Sequence, residues 1–283
     1  MDHGAIILEM KKLLSLLLFI LLYSYVFADT FSSLNAKSQY SIMNPTPYEE
    51  WRPMRADRPD FTESPYTVDA GAFQLETSFI DYAENGSTET WTVAPVNFKI
   101  GLLNTVDLQF IVDPYIHKED SGTEQNGNGD VQLRLKKNLW GNDGAISGFA
   151  FMPFIKIPVA SDDLGNDHIE GGLIFPFATG LFDNFGLGLM FETDFVYDEI
   201  DNDYNLKFIT TGVLGLDVTD AIGLYLEGIG ITNSDSDVDF SSILGFGTTY
   251  KLTDNIIFDL GTNIGLSGGS DEFNIFSGSS IRF

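Results

Sequence analysis

The chain has 283 residues, of which 41 are acidic and 15 basic, so its formal net charge is −26. This balance argues against nucleic acid as a partner, because neutralising phosphates requires a basic surface. The sequence contains no cysteine, which excludes disulfides, thiolate metal sites and thiol catalysis.

The N-terminus has the features of an export signal. Lys11 and Lys12 precede the apolar run LLSLLLFILLYSYVFA, which ends at Ala28. The run is short for a membrane-spanning helix, which needs about 20 apolar residues. A charged start and a small residue at the end are typical of a cleaved secretory signal. We predict a signal peptide over residues 1–28, with an uncleaved N-terminal anchor as the alternative.

Residues 29–70 are polar and contain five prolines. Prolines at this density block both helix interiors and sheet ladders. We therefore predict a loop-like or extended segment. It includes the stretch RADRPDFTESPY, which begins at Arg55 and holds two of the chain's few arginines.

From residue 71 to residue 283, apolar residues alternate with small or polar ones at the period of a β-strand. In DNIIFDLGTNIGL, for example, Phe258 and Leu260 share one face, and Asp259 and Gly261 share the other. A tilted strand needs about 9 to 11 residues to cross a membrane. Twelve segments fit this pattern, and they begin near Gly71, Thr90, Thr105, Gly129, Ala145, Asp167, Phe185, Tyr204, Ala221, Val238, Asn255 and Glu272.

The connections between these segments alternate in kind. One set is short (LLNT, WGNDG, GLFDN, DVTDA, LTDN), and the other is longer and mostly acidic (ENGSTE, HKEDSGTEQNGNG, VASDDLGN, DEIDND, NSDSD, SGGSD). Short periplasmic turns and longer extracellular loops are typical of outer-membrane barrels, whereas a soluble β-sandwich has no reason to alternate in this way. We predict an all-β, transmembrane antiparallel outer-membrane β-barrel of about 12 strands, with residues 29–70 on the periplasmic side.

Strand parity predicts which charged side chains face the lumen, because Lys or Arg on the lipid face costs roughly 2 to 4 kcal/mol at the midplane. The polar faces carry Glu76, Lys99, Asp107, Arg134, Lys136, Lys156, Glu170, Glu192, Asp194, Lys207, Glu227, Lys251, Asp259 and Arg282. These charges either fill a narrow barrel with ion pairs or select solutes along a polar pathway. The residues that we predict to act in selection lie near mid-strand: Lys99, Asp107, Arg134, Lys156, Glu192, Asp194, Lys207 and Asp259.

The remaining acidic excess lies in the longer loops, for example at Glu119, Asp120 and Glu124. A solvated surface is one interpretation. Divalent cations that bridge to anionic lipopolysaccharide, and attraction of cations to a pore mouth, are the functional alternatives. The lipid bilayer and lipopolysaccharide are therefore predicted partners.

The chain ends at Phe283, with Phe273, Ile275 and Ile281 on the same strand parity. A terminal aromatic residue on an outward-facing strand resembles the signal that the barrel-assembly machinery of Gram-negative bacteria reads. We predict that this machinery is a partner.

No catalytic constellation is evident. After signal cleavage only His117 and His168 remain as histidines, and neither has a Ser two residues further on, as in outer-membrane phospholipases. DSDVDF has the start of a calcium loop but lacks its Gly and Glu. We predict no enzyme activity, no cofactor and no metal site.

The stretch RPDFTESPYTVDAGAFQLETSF carries a resemblance to a known family. The run from Arg58 to Pro65, followed by Gly71, Phe73 and Glu76, resembles the opening of the meta-pathway phenol-degradation transporters of bacterial outer membranes. The resemblance covers about residues 55–283. It implies a membrane barrel and uptake of small aromatic or apolar compounds.

The leading functional prediction is passive passage of a small solute. A non-conducting structural or surface-binding barrel is the alternative, and a barrel lipase or protease is a third. Residues 29–70 are predicted either to plug the periplasmic mouth or to serve as a tail that delivers the chain into the first strand. The candidate plug residues are Arg52, Arg55, Arg58 and Asp60, and the cluster of three arginines would pair with lumenal acids.

Overall fold

Fifteen β-strands run through the part of the chain that the computed structural model describes, which is residues 36–161, 164–235 and 238–283. The predicted signal peptide lies outside these ranges. The strands are β1 (Phe73–Asn85), β2 (Thr88–Val93), β3 (Val96–Leu103), β4 (Val106–Val112), β5 (Tyr115–Asp120), β6 (Thr123–Gly127), β7 (Val131–Trp140), β8 (Ser147–Ile157), β9 (Glu170–Phe182), β10 (Phe185–Asp198), β11 (Asp203–Asp217), β12 (Ile222–Asn233), β13 (Ser241–Thr253), β14 (Ile256–Gly265) and β15 (Phe273–Arg282).

The helical elements in the same ranges are two short 3-10 turns, Ala36–Gln39 and Tyr48–Glu50. Neither they nor any other helix of the described residues is long and apolar enough to cross a bilayer.

The fifteen strands make twelve crossings, because three pairs of strands are halves of one interrupted strand. β2 and β3 are separated by Ala94 and Pro95, and β4 and β5 by Asp113 and Pro114. Proline has no N–H to donate to the ladder, and at these two positions the strand is interrupted. β6 and β7 are separated by residues 128–130. All neighbours pair antiparallel, and β15 pairs with β1 to close the sheet. The predicted twelve-stranded antiparallel barrel is confirmed.

Closure joins the two ends of the barrel sequence. Gln74 of β1 lies opposite Arg282 of β15, and the register continues to Glu84 opposite Phe273. The backbone N–H of Phe73 donates to the carbonyl of Phe283 at 2.8 Å, and the return bond is 2.9 Å. This closure leaves β1 and β15 without an unpaired edge, which the interior of a bilayer requires.

The burial pattern is the inverse of a soluble protein's. Phe79, Leu226 and Leu260 are about half exposed on the outer face, whereas Lys99 and Asp107 are 2% and 0% exposed on the inner face. Such an exterior is stable in hydrocarbon and not in water. The charged faces predicted by parity therefore point into the lumen, and the barrel is of the outer-membrane type.

One predicted loop is wrong. The stretch from His117 to Gly129 was expected to be an extracellular loop, but most of it forms the β5–β6 hairpin. Its turn residues, Ser121 and Gly122, have φ angles of +51° and +86°. Positive φ at both central residues gives the type of turn that matches strand twist, and this turn lies level with the one between β1 and β2, since Asp120 is opposite Thr88.

Candidate functional site

Residues 40–72 enter the barrel at its short-turn end, pass into the lumen and return. Near the start, the backbone N–H of Ile42 donates to the carbonyl of Leu102 at 2.8 Å. The N–H of Thr46 donates to the carbonyl of Ala70 at 2.9 Å, so the two arms of the loop meet. We call residues 52–69 the lumen segment and residues 61–63 its tip.

Three side chains close the base of the lumen segment, and we call them the neck: Arg52, Asp69 and Arg282. The Arg52 Nε lies 2.9 Å from the Asp69 Oδ1, and the backbone N–H of Arg52 donates to Asp69 Oδ2 at 3.0 Å. Arg282 donates to the carbonyl of Arg52 at 2.8 Å. The wall is tight here, since a Cβ on Gly101 would lie 2.0 Å from the carbonyl oxygen of Asp69. Both arms are thus fixed at the barrel rim.

Asp57 is the centre of a buried charge network. Its carboxylate accepts from Lys136 Nζ at 2.9 Å and 3.0 Å and also from Lys99, which pairs in turn with Glu76. Glu76 accepts the backbone N–H groups of Asp57 at 3.1 Å and Arg58 at 3.2 Å. Burial alone raises the pKa of Asp57, but the two ammonium groups hold that pKa well below its usual range. Asp57 is therefore a carboxylate throughout the physiological range.

The Arg58 side chain binds strands β1 and β14. Its guanidinium binds Asp259 through two parallel contacts, Nη2 to Oδ1 at 2.6 Å and Nε to Oδ2 at 3.1 Å. Its Nη1 donates to the Ser78 hydroxyl at 2.6 Å. Bidentate pairing of this kind fixes geometry as well as charge.

Glu227 holds the tip. It accepts the backbone N–H groups of Phe61 and Thr62, each at 2.8 Å, and the Thr62 hydroxyl at 2.5 Å. The same hydroxyl lies 2.6 Å from that of Thr211. Asp60, next to the tip, is half buried, and its pKa is raised well above its usual value by burial and by the charge of Glu227.

Glu63 ends the tip and pairs with Arg134. Burial, together with the charge of Asp57, raises the pKa of Glu63 to about 7, although Arg134 and Lys136 act in the opposite direction. This carboxyl therefore titrates near neutral pH.

The returning arm is held by amides and backbone groups. Asn138 Nδ2 donates to the carbonyl of Pro65 at 2.8 Å, and the N–H of Thr67 donates to Asn142 Oδ1 at 3.1 Å. The N–H of Val68 donates to Asp107 Oδ2 at 3.1 Å. Buried backbone polar groups need such partners, because an unpaired one costs about as much as a lost hydrogen bond.

Apolar side chains also line part of the lumen. We call them the apolar wall: Met152, Ile174, Met190, Ile209 and Ile229, all 0–4% exposed. They lie on the same strand faces as lumenal charges such as Lys156 and Glu192, so they point inward. The lumen face of β8 to β12 thus carries an apolar patch in addition to charged residues.

A pocket of about 170 Å³ lies beyond the tip, on the long-loop side. Phe61 and Phe154 contribute rings to it. Its charged lining residues are Lys156, Glu170, Glu192, Asp194 and Lys207.

Comparison with known proteins identifies the family. The profile of the family described as "Putative MetA-pathway of phenol degradation" matches residues 56–283. The chain belongs to this family. The resemblance found in the sequence is thereby confirmed. No curated protein matches the sequence at a significant level.

Two solved structures share the barrel fold of this family member. The COG4313 outer membrane channel from Pseudomonas putida F1 aligns with a TM-score of 0.62 and 14% identity, covering 81% of this chain and 100% of that one. A NanC porin structure aligns with a TM-score of 0.51 and 11% identity, covering 74% of this chain and 98% of that one. At these identities the likeness is one of fold.

The eight residues that the sequence predicted for selection divide into two groups. Four contact the lumen segment: Lys99, Asp107, Arg134 and Asp259. The other four line the pocket beyond the tip: Lys156, Glu192, Asp194 and Lys207.

Of the four candidate plug residues, Arg58 contacts a lumenal strand acid. Arg52 pairs instead with Asp69 of its own segment and, at 3.6 Å, with Asp143 in a turn. Arg55 lies 5.5 Å above the ring of Tyr66. Asp60 has no ion pair among the described residues.

Sequence reasoning missed the acids of the segment itself. Asp57 and Glu63 are the partners of three lumenal bases, but a segment without periodicity gives no face on which to place them. Glu76, Lys136 and Glu227 stood on the predicted lumen faces and were not chosen for a role. Their signal was the parity of a charge in an otherwise apolar strand.

Proposed function

We propose that this protein is a channel for passive passage of a small solute across the outer membrane, and that the lumen segment is its plug. The observation that carries this proposal is the way in which the segment is held. Its contacts with the wall are largely hydrogen bonds and ion pairs, such as those of Asp57, Arg58 and Glu63.

Polar contacts of this type suit a segment that must leave its site. A hydrogen bond to a charged group contributes about 1.5–3 kcal/mol net, because water replaces the partner when the contact opens. A segment held by apolar packing would instead expose hydrophobic surface on release, at about 25 cal/mol per Å². The lumen segment can therefore exchange wall contacts for water.

The width expected of a twelve-stranded barrel also supports a plugged channel. Eight-stranded barrels are just filled by side chains, and 16- to 18-stranded barrels leave an open channel. Twelve strands enclose an intermediate space. Here the segment fills it, since Lys99, Lys136 and Asp107 are at most 2% exposed. In this state we propose that the pathway is closed at the level of Asp57.

The solute that we propose is small and aromatic or apolar. The family description names phenol degradation, and the apolar wall offers a surface that a purely ionic pathway lacks. Once the segment leaves, an aromatic body can contact Met190 and Ile209 while polar groups face Lys99 and Asp107.

A non-conducting structural barrel is the second candidate. The buried network around Asp57 favours it, because ion pairs that fill a lumen also stiffen the barrel. We further propose that the protein is not an enzyme. His117 Nδ1 lies 2.6 Å from an oxygen of Asn126, and His168 stacks on Tyr197 at 3.5 Å between ring centroids. Neither arrangement pairs a base with a nucleophile.

We also propose two partners. Phe283 is 58% exposed on the outer face and stacks on Phe73 at 6.0 Å, which presents it to the barrel-assembly machinery. The acidic long-loop end suits divalent cations that bridge to lipopolysaccharide. Substitution of Phe283 by Ala tests the first partner, since we expect slower assembly of a barrel that remains stable once folded.

Planar-bilayer recording tests the channel. We expect deletion of residues 29–64 to raise single-channel conductance well above that of the mature protein. Deletion of residues 29–39, which keeps the lumen segment, is the matched control and should leave conductance unchanged. Heat-modified migration on gels checks that each barrel has folded. Equal conductance of the two folded deletions would contradict the plug, and absence of current in both would favour the structural barrel.

A further inference from the structure

The pocket beyond the tip has an unequal charge balance. Lys156 pairs with Glu170, and Lys207 Nζ lies 3.1 Å from Asp194 Oδ2. Glu192 has no basic group within ion-pair distance among the described residues. The nearby Arg134 is already paired with Glu63. The pocket is therefore lined by three carboxyl groups and two ammonium groups.

Asp194 has an acceptor that no donor of the described chain fills. Its Oδ1 is buried and has no hydrogen-bond partner, while the residue as a whole is 7% exposed. Leaving a buried charged acceptor unsatisfied costs on the order of 1–3 kcal/mol. Glu192 thus has no basic partner among the described residues, Asp194 keeps one unfilled acceptor atom, and the two carboxyls lie two residues apart on the same face of β10, close enough to interact.

The volume of the pocket and its aromatic rings restrict which ligands it can hold. The volume is about 170 Å³, and an apolar cavity of about 150 Å³ is known to hold benzene. Phe61 and Phe154 line the pocket, and aromatic faces attract cations within about 6 Å. One ring with one short substituent matches these limits.

We propose that this pocket binds a small organic cation, an ammonium group on a single ring or a short apolar body. The ammonium donates to Glu192 and to Asp194 Oδ1, and the body lies against Phe61 and Phe154. Acidic residues on the long-loop side, such as Glu124 and Asp203, raise the local concentration of cations. The site deepens the proposed channel function and rests on it for its physiological meaning, because it lies in the lumen directly beyond the plug.

Calorimetry with benzylammonium as the probe tests the site on folded, full-length mature protein in detergent. We expect benzylammonium to bind, and benzoate and benzyl alcohol to bind at least about tenfold more weakly. Glu192→Gln keeps the shape of the side chain and should weaken benzylammonium binding about tenfold. Glu119→Gln, on the exposed β5–β6 hairpin, should have no effect.

A second variant should change the affinity for benzylammonium in the opposite direction. Lys207→Met removes the cation that occupies Asp194 and should tighten benzylammonium binding, whereas Lys251→Met at the turn end should not. A misfolded protein cannot produce tighter binding. Equal binding of benzoate, or an unchanged affinity in Glu192→Gln, would overturn the proposal.

The binding experiment can fail or succeed independently of the channel proposal. Calorimetric binding does not require conduction, so a non-conducting barrel that binds benzylammonium through Glu192 refutes the channel and keeps the site. A conducting barrel without benzylammonium binding refutes the site alone.

Discussion

Arg58 and Asp259 lie 201 residues apart in the sequence and form a bidentate ion pair inside the lumen, with Nη2 2.6 Å from Oδ1. Asp259 is 5% exposed. A pair of this kind is costly to break from one side only, since the remaining charge stays buried. It therefore acts as a latch between the lumen segment and β14.

Removing one member of the latch should loosen the segment. We expect Asp259→Asn to destabilise the docked segment by about 3 kcal/mol and to raise the open probability in bilayer recordings. Asp254→Asn, whose side chain is 89% exposed, is the control. A double-mutant cycle with Arg58→Met should show strong coupling. Additive effects of the two substitutions would contradict the latch.

The hydrogen bonds that Glu227 accepts from the tip lead to a separate prediction. Glu227→Gln replaces a charged acceptor of two backbone N–H groups, which should weaken docking of the tip by about 2 kcal/mol. Hydrogen exchange at Phe61 and Thr62 measures this directly, and we expect faster exchange there with no change in the strands. Glu89→Gln on the outer hairpin provides the comparison. Unchanged protection at Phe61 and Thr62 would show that Glu227 does not hold the tip.

The network around Asp57 predicts a stability effect. Asp57→Asn leaves Lys99 and Lys136 buried with one fewer carboxylate, and we expect it to lower the free energy of unfolding by about 3–5 kcal/mol. Urea titration measures the change. Adding Lys136→Met to Asp57→Asn should recover part of the loss, because one buried charge is then removed. A double variant less stable than Asp57→Asn would argue against charge compensation as the cause.

The raised pKa of Glu63 leads us to expect that the open probability of the channel depends on pH. Its pKa is about 7 in the docked segment against an ordinary value of 4.5, so docking favours the protonated form. That contribution is complete below the ordinary value and is lost as pH rises through about 7. Asp60 acts in the same direction. We expect open probability to rise from about pH 5 to about pH 8, and Glu63→Gln to flatten this rise. A fall in opening with rising pH would contradict the assignment.

Much of the barrel was predictable, because its rules repeat along the chain. A charged side chain such as Asp259 in an apolar strand is tolerated only on the lumen face. Its position in the alternating pattern therefore indicates which way it points. The hairpin at Ser121 and Gly122 was missed, since polar residues in a strand that extends past the membrane carry no apolar period.

The interior of the site was less predictable. The sequence placed arginines near the barrel mouth, but pairing of Arg58 with Asp259, and of Arg52 with Asp69, depends on the path of a segment without periodicity. Asp57 and Glu63 had no face to mark them. Contacts between an irregular loop and a wall are set by three-dimensional closeness, which local patterns do not encode.

An engineered disulfide between the tip and the wall tests the central claim most directly. The Thr62 and Thr211 hydroxyls are 2.6 Å apart, the chain has no cysteine of its own, and a disulfide needs Cβ atoms about 3.5–4.5 Å apart. Single-channel current is recorded from Thr62→Cys/Thr211→Cys before and after reduction. A plug predicts no openings while the disulfide is intact and normal openings after reduction. Full current through the oxidised, fully cross-linked barrel would contradict the claim that this segment closes the lumen.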